Sequence, residues 1–188
     1  VVTTSHFKKG LNVLIKEEPY TIIDFQHVKP GKGNQFTRTK LKHLITGSYM
    51  DLTIRSGEKF SVPDVSYKEM NFLYKDTEYF HFMDNSSYEE INIPLKCIGS
   101  AEKFLKENVA VKVCFFNEQA VGVELPKTVQ LVITDTDPGL RGNTAANATK
   151  PATLETGLVT QVPLHLNKDD VVKINTADGS YIERVKNK

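Results

Sequence analysis

No stretch of this 188-residue sequence is apolar for long enough to span a bilayer, and its first residues lack the charged, apolar and small-residue order of a secretory leader. The reading is a soluble, cytoplasmic protein. Cysteine is scarce: Cys97 and Cys114 each sit in an apolar stretch, which suits two reduced, packed thiols rather than a disulfide framework. The five histidines, His6, His27, His43, His81 and His165, form no His-x-x-x-His pair. There is no nucleophile elbow, no metal box and no Gly-x-x-x-x-Gly-Lys-Ser/Thr loop. The acidic stretch 84–90 has no base nearby in sequence and reads as a solvated loop. No catalytic residue, metal ligand or cofactor site is assigned, and an enzyme is not expected.

What the sequence does have is turn chemistry at short intervals, the pattern of an all-β protein. Lys9-Gly10, Glu18-Pro19, Pro30-Gly31-Lys32-Gly33, Thr46-Gly47 and Ser56-Gly57 separate strand-like runs at 11–15, 20–28, 35–41 and 49–54. Such spacing over about sixty residues fits a small SH3-like barrel closed by Pro63. A second set follows at 70–75, 79–83, 92–97, 109–116 and 120–125, interrupted by a short helix over 101–106 with Ser100 as N-cap and Phe104 and Leu105 facing the core. The last third has strands at 129–134, 157–166, 171–175 and 181–185, and a long polar loop over 137–152. The division is 1–63 (SH3-like), 64–126 (OB-fold) and 127–188 (a second OB-fold).

Charge divides at the same places. Residues 1–63 carry ten Lys/Arg against five Asp/Glu, 64–126 carry six against eleven, and 127–188 carry eight against seven. A total of +1 thus conceals a basic N-terminal third and an acidic middle. The basic third suits nucleic acid; the middle does not suit phosphate.

Three segments stand out. In His27-Val28-Lys29-Pro30-Gly31-Lys32-Gly33-Asn34-Gln35-Phe36, proline fixes one φ and two glycines permit positive φ, which predicts a tight hairpin with Lys32 at its apex. Arg38, Lys40 and Lys42 then alternate, placing all three on one strand face. From spacing alone the segment fits a solvated hairpin equally well. In Asp135-Thr136-Asp137-Pro138-Gly139-Leu140-Arg141-Gly142-Asn143-Thr144-Ala145, backbone amides and the Asn143 and Thr144 side chains could hold phosphate, sugar or base edges, or the segment could simply connect strands. In Tyr181-Ile182-Glu183-Arg184-Val185, alternation sets Tyr181 and Glu183 on one face and Ile182 and Arg184 on the other.

Together, residues 29–36 and 135–145 resemble the two landmark segments of the bacterial elongation factor P family. The resemblance runs along the chain through Phe7-Lys8-Lys9-Gly10, Val123-Glu124-Leu125-Pro126, Lys150-Pro151-Ala152-Thr153-Leu154-Glu155-Thr156-Gly157 and the terminal Tyr181-Ile182-Glu183-Arg184-Val185. It implies an SH3-like (KOW-like) barrel followed by two OB-fold barrels in an L-shaped, tRNA-like arrangement. It also implies a monomer that binds both ribosomal subunits between the P and E sites and relieves stalls at consecutive prolines. By resemblance the hairpin, Lys29, Pro30, Gly31, Lys32, Gly33 and Asn34, reaches toward the end of the P-site tRNA. Lys32 is the position that a lysine-modifying enzyme extends, with a β-lysyl or an aminopentanol group. Gly142, Asn143 and Thr144 match the loop near the mRNA at the E-site codon, with Arg141 beside them as a further RNA-binding candidate and with Asn143 where the family has Asp: a charge is lost and donors are gained. Tyr181 and Arg184 complete the RNA-binding candidates with Arg38, Lys40 and Lys42.

Two other readings are weighed. The elongation-factor-P-like paralogue differs at the tip and the terminal segment, and Pro30-Gly31-Lys32-Gly33 favours the main factor. A general RNA-binding OB-fold protein calls for exposed aromatics on a basic OB face, whereas the middle third here is acidic.

Overall fold

The computed structural model describes residues 1–138 and 148–185. The elements run in order: β1 (Val2–Thr3), β2 (Asn12–Ile15), β3 (Glu18–Val28), β4 (Phe36–His43), β5 (Tyr49–Arg55), β6 (Lys59–Phe60), β7 (Val65–Lys75), β8 (Tyr79–Asp84), β9 (Glu90–Pro94), α1 (Leu95–Ile98), a 3-10 turn (Gly99–Phe104), β10 (Ala110–Phe116), β11 (Gln119–Glu124), β12 (Thr128–Thr136), β13 (Thr149–Leu154), β14 (Val159–Pro163), β15 (Val171–Asn175) and β16 (Tyr181–Arg184). A further 3-10 turn spans Thr4–His6. The fold is all-β, and among the described residues no helix is long and apolar enough to cross a membrane. The sheets are β2-β3-β4-β5, β11-β10-β7-β8-β9 and β14-β13-β12-β15-β16, with β1 pairing β6. Two compact units result: residues 1–68 with 113–122, and residues 69–112 with 123–188.

In the first unit the inward residues Val13, Tyr20, Ile22, Leu41 and Ile54 close on Phe7 and Phe60. An eleven-residue β3 lies against β4, and an extra residue at Ile23 breaks the register between Ile22 and Asp24. That bulge turns Phe25 back toward the core while Asp24 and Gln26 face water. The turn joining β2 to β3 was expected at Glu18-Pro19. It is instead Lys16-Glu17, with φ of 52° and 68°, the doubly left-handed geometry that matches strand twist. Neither residue is glycine or asparagine, so the turn carries no local signal.

In the second unit the predicted helix is displaced. A helical turn begins at Leu95, one residue after Pro94, and gives way at Gly99 (φ 57°) to a 3-10 turn. Ser100 lies inside that turn and is not its cap. The amide of Leu95 donates to the Glu78 carbonyl at 3.1 Å, a contact distant in sequence. Phe104 and Leu105 are buried as expected. Phe104, however, joins the cluster built on Val129, Leu131, Ile133, Leu158 and Ile174, so one core runs across residue 126.

The expected loop over 137–152 is shorter, because Thr149–Leu154 is β13, a central strand containing Pro151. Proline is tolerated there because Thr136, the last residue of β12, pairs with Ala152; on that side Pro151 lies beyond the ladder and no hydrogen bond is forfeited. Neither cysteine is in a disulfide; Cys97 is half-buried and Cys114 buried.

Candidate RNA-facing site

The β3–β4 ladder ends at Val28 and Phe36, and residues 29–35 form the connection. This is wider than the tight hairpin expected. Pro30 has no amide to donate and biases Lys29 away from compact turns, so pairing cannot continue inward from Val28. The chain bends over Gly31, Lys32 and Gly33, and Gly33 takes φ +117°, a region that residues with a Cβ rarely adopt. Residues 29–35 are all exposed. Among the described residues, none forms an ion pair or hydrogen bond with the Lys32 or Lys29 ammonium.

Beneath the tip, His27 Nδ1 meets Thr37 Oγ1 at 2.8 Å across the ladder, and the His27 ring stands edge-on to Phe25 at 5.3 Å. Nothing in the sequence marks Thr37 as the partner of His27. The role of His27 is to clasp the two strands one pair inside the loop.

The alternation along β4 is as expected. Thr37, Thr39, Leu41 and His43 are buried; Arg38 and Lys40 are exposed and Lys42 is half-exposed on the opposite face. Arg38 lies over Phe36, 5.9 Å from the ring centre. Lys40 and Lys42 each stand 5.9 Å from the ring of Tyr49, the first residue of β5. The face is not purely cationic. Asp24 and Asp51 flank Lys40 on the neighbouring strands. Asp24 is already paired with Lys9 at 2.9 Å, and that bond, with a smaller contribution from Lys40, lowers its pKa.

Arg141, Gly142, Asn143 and Thr144 lie outside the described residues. The strands that carry this segment are tied together at its base: Thr136 Oγ1 donates to the Pro151 carbonyl at 2.9 Å and Lys150 Nζ to the Asp137 carbonyl at 2.7 Å. Lys150 is 5% exposed, and nothing in the sequence distinguishes it from a surface lysine.

The terminal pair differs from its expected arrangement. An extra residue at Ile182 shifts the register, so Tyr181 stands opposite Ile174 and Arg184 opposite Val172, both on the inward side of β15. Tyr181 packs against the C-terminal core, and Arg184 is held by Asp170 at 2.7 Å. The acidic stretch 84–90 does have a base: Glu90 meets His81 Nδ1 at 2.8 Å, a partner two strands of a hairpin bring alongside. Among the described residues, no group of three or more His, Cys, Asp or Glu could hold a metal ion.

Three family descriptions match consecutive parts of the chain: the elongation factor P KOW-like domain over residues 3–60, the elongation factor P OB domain over 65–123, and the elongation factor P C-terminal domain over 129–184. The chain belongs to the elongation factor P family. The elongation factor P of Bdellovibrio bacteriovorus is 51% identical over 185 residues, covering 98% of each chain. That of Maridesulfovibrio salexigens is 47% identical over 186 residues, covering 99% of this chain and all of the other. Among solved structures, the eukaryotic translation initiation factor 5A from Methanococcus jannaschii overlays with a TM-score of 0.51 at 23% identity, over 66% of this chain and 90% of its own. An initiation factor 5A family protein from Naegleria fowleri gives 0.52 at 18% identity, over 65% and 94%. These two likenesses concern the fold. As a family member the chain is a translation elongation factor, composed of a KOW-like, an OB and a C-terminal domain.

Proposed function

We propose that this elongation factor acts on the ribosome between the P and E sites, relieving stalls at consecutive prolines by positioning the P-site peptidyl-tRNA. The observation that carries the reading is Lys32: an exposed ammonium with no partner among the described residues, at the end of an eleven-residue strand paired along its length. At about 3.3 Å per residue, such a strand reaches roughly 35 Å. A cation at the end of a ladder, where neither glycine adds bulk, suits entry into a narrow, phosphate-lined space. The Arg38, Lys40 and Lys42 face meets RNA backbone on the way, and residues 141–144 serve the codon end.

No acid or base is required of the protein in this scheme. Proline is a constrained nucleophile, and holding reactants in line is worth up to about 7–11 kcal/mol. The ribosome remains the catalyst. In this reading the factor is a cytoplasmic monomer with three modules, 1–63, 64–126 and 127–188. A partner enzyme extends Lys32 with a β-lysyl-type or aminopentanol-type group, which lengthens its reach and adds donors without disturbing the ladder.

The test is reconstituted translation of a polyproline message with wild type and Lys32→Ala, alongside ribosome pelleting. Loss of stall relief with retained ribosome binding is expected. Equal relief by Lys32→Ala and the extended wild type at saturating concentration would overturn the proposal. The intact mass of protein from its native source reports the extension.

A further inference from the structure

Tyr49 is held by two lysines rather than by the core. It opens β5, is 61% exposed and lies outside the N-terminal core. A single exposed ring is ordinary on a protein surface and by itself points to no ligand, but its face is a surface that a partner can cover. Its surroundings say what could. Lys42 lies directly opposite it across the ladder and Lys40 is the next residue along the same face, each with its ammonium 5.9 Å from the ring centre. The other exposed tyrosines, Tyr67, Tyr74, Tyr79 and Tyr88, lie in the acidic middle third. Tyr49 stands in the basic third, with two ammonium groups over its ring.

We propose that Tyr49 is a stacking platform for an unpaired RNA base, with Lys40 and Lys42 holding the phosphates on either side of that nucleotide. The proposal rests on the reading above that this face meets RNA, and deepens it from a phosphate-contacting stripe to a site for a single-stranded nucleotide. A flat ring accepts any base face, and the two ammonium groups that lie over it at 5.9 Å from its centre are on hand for the phosphates of a nucleotide that takes their place on the ring. The ordinary duplex backbone would engage the lysines but leave the ring idle. The occupant is therefore an unpaired end or bulged nucleotide. Arg38 continues the cationic track along β4, while Asp24, on the other flank of Lys40, is occupied by Lys9. Asp51 beside Lys40 disfavours phosphate at that one position, which orients the strand toward the Lys42 side.

The test measures binding of the full chain at low salt to an RNA hairpin with a short unpaired 3′ end and to the same hairpin with a blunt end. The wild type is expected to prefer the unpaired end. Tyr49→Phe keeps that preference. Tyr49→Leu, which keeps apolar bulk but loses the π face, weakens binding to the unpaired end roughly tenfold and leaves the blunt hairpin and the salt dependence unchanged. Lys42→Gln weakens both RNAs and flattens the salt dependence. The proposal is overturned if the wild type does not distinguish the two RNAs, if Tyr49→Leu binds the unpaired end like wild type, or if it loses both RNAs equally. The elongation reading is judged separately, by Lys32→Ala in the polyproline assay.

Discussion

His81 Nε2 lies 2.7 Å from Asp76 Oδ2, while its Nδ1 lies 2.8 Å from Glu90 Oε1. A neutral imidazole has one donor, so bonding a carboxylate at each nitrogen requires the imidazolium. The ring is 8% exposed and stacked on Tyr74 at 4.2 Å, within the β7–β8–β9 part of the second unit. The hydrogen bond that His81 donates to Asp76 raises the His81 pKa, helped by Glu90 and opposed by burial. Reciprocally, the His81 bond, with the Glu78 and Tyr79 amides, holds Asp76 down at about 2.

A pH window follows. The His81 contribution is complete below its ordinary value of 6.5 and is lost as pH rises through the higher folded value. The Asp76 contribution is complete above 3.8 and is lost as pH falls toward about 2. Between those limits the cluster stabilises the fold fully. Thermal unfolding followed across this range should show wild type losing stability on the alkaline side, with His81→Gln showing less of that loss. Parallel curves for the two proteins would contradict the assignment.

Phe104 joins the C-terminal core from outside the C-terminal sheet. Its ring lies among Leu131, Leu158 and Ile174, and Thr156 Oγ1 bonds the neighbouring Lys103 carbonyl at 2.6 Å. Phe104→Ala should cost about 3–4 kcal/mol in urea unfolding of the chain. Gly179 sits against the same ring: at φ +75° an added Cβ would lie 3.8 Å from Phe104 and 3.5 Å from Leu158. The space suffices, so the penalty of Gly179→Ala is conformational, about 1 kcal/mol.

The tip glycines are not equivalent. Gly33 adopts φ +117°, whereas a Cβ at Gly31 meets nothing within 4 Å and its φ lies outside the left-handed range. Gly31→Ala should be nearly silent, within about 0.5 kcal/mol. Gly33→Ala should redirect the loop at a local cost of about 1–2 kcal/mol and reduce polyproline relief while global unfolding barely shifts. The same activity for both variants would show that the Gly33 geometry is dispensable.

Arg38 faces water and is engaged by the Phe36 ring, with no carboxylate bridging it among the described residues. Under the proposed function its role is phosphate contact. Arg38→Ala should weaken ribosome binding at every salt concentration and reduce the salt slope by about one ion. Arg184→Ala offers the contrast: its guanidinium is bonded to Asp170, so stability should fall by about 1 kcal/mol or less. A larger binding defect for Arg184→Ala than for Arg38→Ala would reverse the two roles.

Local chemistry determined the β architecture and the exposed Lys32 loop from sequence alone. Pro30, Gly31 and Gly33 act within a few bonds of the turn they make, and the period of two along Arg38, Lys40 and Lys42 is intrinsic to any strand. What only tertiary structure decided has distant partners. The Lys16-Glu17 turn is imposed by the β2–β3 pairing, and Pro151 is acceptable because β12 ends opposite Ala152. Leu95 begins a helix with its amide on Glu78, and His81 acquires Glu90 from the neighbouring strand. Phe104 was legible as buried but not as belonging to the C-terminal core, and Tyr181 and Arg184, on opposite faces by simple alternation, come to one side through one inserted residue. Hydrophobicity says that a side chain leaves water; only the packed neighbours and the strand register decide which side chains it meets.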